Sequence, residues 1–186
     1  MRLFVAIDLD DGAREAIAQM QRRMAGLLDA DRSLKWVRPA HMHLTLAFLG
    51  EAADLHVPAL VSALSAAIEV HPFAVVFEGL GVFPARGAPR VLWLGAGEGA
   101  AEVINTQRVV AGRVAGCGLT LEARPFHPHL TIARWRASRP DAARRALSSA
   151  PHTPIARVSV DHVTLYQSRL TPDGPAYTAL ARATLT

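Results

Sequence analysis

Two histidine–threonine pairs are the residues of this sequence whose types and spacing best suit acid–base chemistry. They occur in His43-Leu44-Thr45-Leu46 and His129-Leu130-Thr131-Ile132, and the seven-residue segments around the two motifs differ at two positions. The histidines lie 129 − 43 = 86 residues apart in a chain of 186. An offset close to half the chain predicts two similar halves, each presenting the same strand to a shared site.

Each motif is predicted to lie on a β-strand, where alternate side chains point to the same face. His43 and Thr45 then share one face, and His129 and Thr131 share the matching face of the second strand. The duplicated face supplies two proton-transfer groups and two hydroxyl donors. Hydrolysis of a phosphodiester needs this set, because the attacking water loses a proton, the departing alkoxide gains one, and the phosphoryl oxygens need hydrogen-bond donors.

Imidazole suits both proton roles near neutral pH. Its ordinary pKa of about 6.5 allows one ring to be neutral while the other is protonated. A phosphate held between the rings would couple their titrations, so we expect a bell-shaped rate profile whose limbs belong to the pair. The sequence therefore predicts a reaction that needs neither a metal ion nor another cofactor.

The elements expected to position these motifs do not alternate regularly. Strand patterns occur at residues 3–9, 43–49, 73–82, 91–94, 129–134, 155–167 and 177–185. Helical patterns occur at residues 13–28, behind an Asp10-Asp11 N-cap, and at 58–70, 100–114 and 141–147. This mixed order favours an α+β fold with largely antiparallel sheets over a doubly wound parallel sheet.

Composition is typical of a globular chain that forms one domain or two closely packed lobes. No apolar run approaches the ~20 residues that span a bilayer, and Asp8 interrupts the first apolar segment too early for a signal peptide. We therefore expect a cytoplasmic protein.

Cys117 is the only cysteine, which excludes an internal disulfide and a thiolate-rich metal cluster. The net charge of +4 is compatible with a polyanionic partner such as RNA.

The two motifs resemble the double His-x-Thr-x signature of the 2H phosphoesterase superfamily. Within it, the chain is most similar to the bacterial and archaeal RNA 2′,3′-cyclic phosphodiesterases, also called the LigT-like or 2′-5′ RNA ligase family. Further segments carry the resemblance in order along the chain: Arg2-Leu3-Phe4-Val5-Ala6-Ile7, Trp36-Val37, Phe48-Leu49-Gly50, Gly81-Val82-Phe83-Pro84, Val91-Leu92-Trp93-Leu94, Phe126-His127-Pro128-His129 and Ser168-Arg169-Leu170 to Gly174-Pro175-Ala176-Tyr177.

The resemblance implies a single bilobal, pseudo-twofold domain over residues 1–186, with both motifs lining a central cleft. It implies hydrolysis of an RNA 2′,3′-cyclic phosphate to a 2′-phosphate end, together with reversible 2′-5′ RNA ligation. His43 would donate a proton to the departing 3′ oxygen and His129 would accept one from water. Thr45 and Thr131 would hold the phosphoryl oxygens.

The resemblance extends to two further site residues and to the partners. Arg134 matches a basic position in the family's second motif and is expected to contact phosphate, whereas Phe48 is expected to stack or pack near the base. The implied partners are RNA ends, among them tRNA fragments, or a small cyclic nucleotide, and a monomer is expected. One departure is visible: where the family often has an acid and an amide before the first motif, this chain has Ala40 and His41.

Three other interpretations of the same residues stay open. The units His41-x-His43 and His127-x-His129, if both lie on strands, place two rings on one face and suit a multi-histidine metal site. The altered Ala40-His41 entry and the basic charge suit a module that binds RNA ends without turnover. The motifs could also be ordinary half-buried strands whose histidines are satisfied by hydrogen bonds.

Overall fold

The computed structural model describes residues 1–28, 33–121, 125–137, 140–148, 150, 153–172 and 174–186. Within these ranges the strands are β1 (Arg2–Asp8), β2 (Leu34–Trp36), β3 (His43–Glu51), β4 (Phe73–Phe83), β5 (Val91–Ala96), β6 (His129–Trp135), β7 (Ala156–Val160), β8 (His162–Thr171) and β9 (Gly174–Thr184). The α-helices are α1 (Asp11–Leu28), α2 (Val57–Ala63), α3 (Ala100–Gly116) and α4 (Pro140–Ser148), and 3-10 turns cover Pro39–His41 and Asp54–His56.

The strands form two sheets, which we call the first and the second lobe. The first lobe is a four-stranded sheet in the order β3-β1-β8-β9, and the second is a five-stranded sheet in the order β2-β6-β5-β4-β7. The ladders described between these strands are antiparallel. The structure therefore confirms the predicted α+β class with two antiparallel sheets. Each lobe contains one motif strand, β3 or β6.

The lobes are not the two halves of the chain that the repeat alone predicts. The first lobe combines β1 and β3 with β8 and β9 from the end of the chain. The second lobe includes β2, which lies between β1 and β3 in sequence. The chain therefore passes from one lobe to the other several times. The repeat relates the two motif strands and their surroundings, while the sheets that carry them are interleaved.

Helix α1 forms where the sequence predicts it. The carboxylate of Asp10 accepts a hydrogen bond from the backbone N–H of Ala13 at 2.8 Å, which satisfies one of the free donors at the helix start. Ile17, Met24 and Leu28 follow at helical spacing and are buried. The helix is thus held by its cap and by one apolar face that packs into the core.

Helix α2 is shorter than the predicted 58–70, because it ends at Ala63. Tertiary hydrogen bonds replace the missing helical ones. Ile68 donates its N–H to the carbonyl of Thr184 at 2.8 Å, which joins the segment to β9. The side chain of Arg113 on α3 donates hydrogen bonds to carbonyls at and beyond the helix end, those of Ala63, Ala66 and Ala67.

The predicted strand over residues 155–167 is two strands in different lobes. β7 pairs with β4 in the second lobe, whereas β8 pairs with β1 and β9 in the first. Asp161 lies between them and its carbonyl accepts a hydrogen bond from the N–H of Leu185 at 2.8 Å. Local apolar patterning cannot reveal such a change of sheet, because both strands look extended in sequence.

The core explains why the motif strands present their polar residues to one side. Leu44 and Leu46 of β3 are 0% and 3% exposed, and Leu130 and Ile132 of β6 are both 0% exposed. The intervening histidines and threonines are only half-buried. The predicted alternation within each motif is confirmed. None of the helices in the described ranges combines the length and the apolar character needed to cross a bilayer.

Candidate active site

A cleft of about 550 Å³ lies between the lobes, where β3 and β6 contact each other. Residues from both halves of the sequence line it. They include all six side chains predicted as site residues: His43, Thr45, Phe48, His129, Thr131 and Arg134. The structure thus brings the two motifs together in one cavity.

Both motif strands contain a β-bulge at the same place. Leu46 has no partner in the ladder between β3 and β1, and Ile132 has none in the ladder between β6 and β5. One extra residue in a strand reverses the alternation of the side chains that follow it. The burial sequence of both strands is accordingly the same for six residues, ending in two buried positions and one exposed position.

The exposed position after each bulge is Phe48 in β3 and Arg134 in β6. The two are 134 − 48 = 86 residues apart, the same offset as the histidines. Strict alternation would turn both side chains away from the histidines, but the bulges aim them into the cleft. At equivalent places, the first lobe offers an aromatic ring and the second a guanidinium group.

The ring of each motif histidine bonds to the backbone two residues before it. Nδ1 of His129 donates a hydrogen bond to the carbonyl of His127 at 2.7 Å, and His43 makes the corresponding bond with the backbone of His41. In a neutral ring this arrangement places the proton on Nδ1 and the lone pair on Nε2. Nε2 is thereby the nitrogen of each motif histidine that could exchange a proton with a ligand.

These bonds also bear on the metal-site interpretation. His41 belongs to a 3-10 turn and His127 precedes β6, so the premise that both His-x-His pairs lie along strands is wrong. The two residues serve the motif histidines through backbone atoms. Across the described ranges, no cluster of three or more His, Cys, Asp or Glu side chains has an arrangement that could hold a metal ion.

Aromatic rings surround both histidines. His43 stacks on Phe4 with ring centroids 4.7 Å apart, and the ring of Tyr177 meets it edge-on at 5.3 Å. Phe83 meets His129 edge-on at 5.0 Å. These contacts fix the planes of the two imidazoles and remove much of their surface from water.

Burial lowers the pKa of both imidazoles. It lowers the pKa of His43 to about 4; Arg134 and His41 act in the same direction, and the backbone bond to His41 and the charge of Asp8 oppose it. Burial also lowers the pKa of His129, where electrostatic interactions with His127 and Arg134 act in the same direction and the backbone bond to His127 opposes. Both rings therefore favour the neutral form at pH 7, and a phosphate placed between them would raise both pKa values.

The carboxylate of Asp8 lies in the first lobe beside His43. Asp8 is the cross-strand partner of His43 in the β1–β3 ladder. Its oxygens accept hydrogen bonds from the hydroxyls of Thr164 at 2.8 Å and Tyr166 at 2.7 Å. Burial, together with the bond to Asp8, raises the pKa of Tyr166 to about 12, so this phenol remains a donor to the carboxylate throughout the physiological range.

The cleft is cationic. Lys35 is the cross-strand partner of Arg134, and Arg2 and Arg38 also line the cavity. No Asp or Glu is among the described residues that line it. The guanidinium of Arg2 lies 5.1 Å above the ring of Phe48. Such a surface suits a phosphate attached to a flat, aromatic group.

Several of these lining residues were not among the predicted site residues. They are Arg2, Phe4, Lys35, Arg38 and Tyr177. A signal for two of them exists in the sequence, because Arg2 and Phe4 occupy alternate positions of the first strand and so share a face. The others depend on which strands become neighbours, and periodicity along the chain does not contain that information.

Two antiparallel sheets with helices, each contributing a His-x-Thr pair to one cleft, define the LigT-like class of 2H phosphoesterase folds. The family model described as the 2′-5′ RNA ligase superfamily matches residues 5–172. The chain belongs to this superfamily.

Relatives cover nearly the whole chain. An RNA 2′,3′-cyclic phosphodiesterase of Archaeoglobus fulgidus is 33% identical over 177 residues, which is 95% of this chain and 96% of the relative. The crystal structure of TT0787 of Thermus thermophilus matches with a TM-score of 0.79 at 30% identity, covering 99% of this chain and 97% of that one. E. coli LigT complexed with 3′-AMP matches with a TM-score of 0.77 at 31% identity, covering 100% and 98%.

Proposed function

We propose that this protein is a phosphodiesterase that hydrolyses RNA 2′,3′-cyclic phosphate ends to 2′-phosphomonoesters without a metal ion. The observation that carries the proposal is the placement of two His-x-Thr pairs on facing strands of one cationic cleft. The name of the Archaeoglobus relative supports the same reaction. Because both lobes supply residues to this cleft, residues 1–186 act as one bilobal domain.

In the proposed reaction, water attacks the phosphorus atom and the bond from phosphorus to the 3′ oxygen breaks. His129 accepts a proton from the water through Nε2, and His43 donates a proton to the departing 3′ oxygen. The hydroxyls of Thr45 and Thr131 donate hydrogen bonds to the other phosphoryl oxygens as charge redistributes. The 2′ ester bond is left intact. If the 5′ hydroxyl of a second RNA end attacks the phosphorus atom in place of water, the same bond to the 3′ oxygen breaks and a 2′-5′ linkage forms.

Phe48 and Arg134 orient the substrate in this proposal. Arg134 carries a permanent charge and contacts the phosphate from the second lobe. Phe48 is 50% exposed and offers its ring to the base. The complex of E. coli LigT with 3′-AMP supports a nucleotide as ligand. The proposed substrates are RNA ends, tRNA fragments and small cyclic nucleotides, and the proposed enzyme is a cytoplasmic monomer.

The test is incubation of purified protein with a short RNA that ends in a 2′,3′-cyclic phosphate, with and without a strong chelator, followed by identification of the product end. We expect a 2′-phosphate at the same rate in both conditions. Loss of activity in chelator that added metal restores would contradict the metal-free mechanism. Tight binding without any product would favour the RNA-end binding module, and a 3′-phosphate product would contradict the assigned bond cleavage.

A further inference from the structure

The two motif histidines differ in the residue directly across the strand ladder. Asp8 is opposite His43 in the first lobe, and Gly95 is opposite His129 in the second. Directly opposed residues of antiparallel strands have their side chains on one face, a few ångströms apart. The residue directly opposite in the ladder is therefore a carboxylate for His43 and a glycine, with no side chain, for His129.

The second lobe resists a carboxylate at this place. A Cβ built on Gly95 would lie 3.1 Å from the backbone carbonyl oxygen of Glu78, closer than side chains normally come to a neighbour. The carbonyl of Glu78 on β4 would have to shift by a few tenths of an ångström to accept any side chain at position 95. The packing of β4 against β5 therefore disfavours a carboxylate opposite His129.

Asp8 is held in place from the other side of its strand. Thr164 and Tyr166 on β8 each donate a hydrogen bond to one of its oxygens, and Nε2 of His162 lies 3.5 Å from one of them. Hydrogen bonds to both oxygens restrict the rotation of the carboxylate. Asp8 is therefore held in one orientation behind His43, and it does not line the cleft itself.

The charged groups that face the two histidines are correspondingly different. His43 has Asp8 on β1, His41 in the preceding turn and Arg134 across the cleft on β6. The charges that act on His129 come from His127 and Arg134, and both disfavour a second positive charge. Each histidine thus has Arg134 and a second histidine as basic neighbours, and Asp8 is the one charge that acts on His43 and has no counterpart at His129. Burial outweighs Asp8 at His43 in the unliganded protein. When a phosphate binds, His43 has two anionic neighbours and His129 has one.

We propose that Asp8 is the positioning residue that makes His43, and not His129, the protonated member of the pair once substrate is bound. This inference rests on the proposed phosphodiesterase function. It derives the direction of proton flow from a structural difference between two histidines that occupy the same place in their motif strands. Asp8 acts through His43 and touches no reacting atom.

The decisive measurement is the pH dependence of kcat on an RNA 2′,3′-cyclic phosphate for the Asp8→Asn variant. Asn keeps the shape of the side chain, and the hydroxyls of Thr164 and Tyr166 can rotate to pair with it. We expect the alkaline limb of the profile to move to lower pH by about one unit or more. In that range kcat falls about tenfold for each unit, while KM changes little.

Asp161→Asn is the matched control. Asp161 is the other carboxylate that contacts His162, and its side chain is 74% exposed. Removing its charge should leave the alkaline limb where it is. If Asp8→Asn only scales kcat without moving the limb, or if both variants move it equally, the proposal is overturned. Failure of the wild type to hydrolyse the RNA would instead overturn the proposed function.

The wild-type chain provides a second test that requires no variant to fold. Ring nitrogen chemical shifts of His43 and His129 can be followed by NMR from pH 4 to 9 in saturating sulfate, whose charge is constant over this range. We expect His43 to hold its second ring proton to higher pH than His129. The reverse order, or no response of His43 to sulfate, would overturn the proposal.

Discussion

The motif strands of the two lobes share a backbone design and differ in the side chains around it. β3 and β6 have the same burial pattern and the same bulge, and each orients its histidine by a bond to the preceding backbone. Around this common frame, the first lobe presents Phe48 and Asp8, and the second presents Arg134 and Gly95. In the proposed reaction, the shared frame places the two His-x-Thr pairs, and the residues that differ distinguish the two ends of the substrate.

A duplicated motif cannot by itself give its two copies different roles. Two identical halves would bind a phosphate equally well in either direction, so neither histidine would be committed to one proton role. An aromatic ring on one side and a guanidinium on the other orient a nucleotide. In our proposal, a single carboxylate behind one histidine gives the two rings different protonation states once substrate is bound.

The largest expected effect comes from removing the two histidines one at a time. His43→Ala and His129→Ala should each lower turnover of an RNA cyclic phosphate by about 10²–10⁴-fold. With bis(p-nitrophenyl) phosphate, whose leaving group departs as a stable anion, His43→Ala should recover most of its activity because no proton donor is needed. His129→Ala should not recover. If His43→Ala lost as much activity with this substrate as with the RNA, the assignment of His43 as the proton donor would be contradicted.

A second effect concerns the pH dependence of stability. The pKa of His43 is about 4 in the folded protein and about 6.5 when unfolded, so the unfolded chain binds the proton first as pH falls. The contribution of His43 to the free energy of unfolding is present above pH 6.5. It should decline by about 3 kcal/mol between pH 7 and pH 4.

Replacing His43 by Gln should remove that part of the pH dependence. His129→Gln should act in the same direction, because its pKa is also lowered. Urea unfolding at pH 7, 5.5 and 4 measures both variants against the wild type. An unchanged slope in His43→Gln would show that His43 is not held neutral by burial.

The smallest expected effects separate Phe48 from Arg134 in nucleotide binding. Phe48→Leu should weaken binding of 3′-AMP by about tenfold through lost stacking, with little change in its dependence on salt. Arg134→Gln should weaken binding by a similar factor and flatten the salt dependence, since a phosphate contact is lost. Calorimetric titration of each variant with 3′-AMP at several salt concentrations distinguishes the two. If Phe48→Leu flattened the salt dependence and Arg134→Gln did not, the placement of the phosphate at Arg134 and of the base at Phe48 would be contradicted.

Features that depend on local chemistry could be predicted from the sequence. The Asp10 cap and the apolar face of α1 are encoded within one helix, and the His-x-Thr alternation within each motif needs only the period of a strand. The repetition of the motif half a chain apart is sufficient to predict that His43 and His129 lie in one site. All six predicted site residues line one cleft, and their roles in the reaction remain predictions.

Features that depend on pairing between distant segments could not be predicted. The bulges at Leu46 and Ile132 exist because of the neighbouring strands, and they alone explain why Phe48 and Arg134 point into the cleft. The early end of α2 depends on the side chain of Arg113, which is 46 to 50 residues away in sequence. The neighbour of His43 is set by the register of the β1–β3 ladder, which no periodicity records.

The interleaving of the lobes has a consequence for how the molecule folds. The first lobe needs β1 and β9 from opposite ends of the chain. Strands β7 and β8 belong to different sheets, and Asp161 is the single residue between them in sequence. Neither lobe can be completed by a continuous piece of the chain. We therefore expect both to form and melt in one cooperative transition, so that the cleft is assembled whole or not at all.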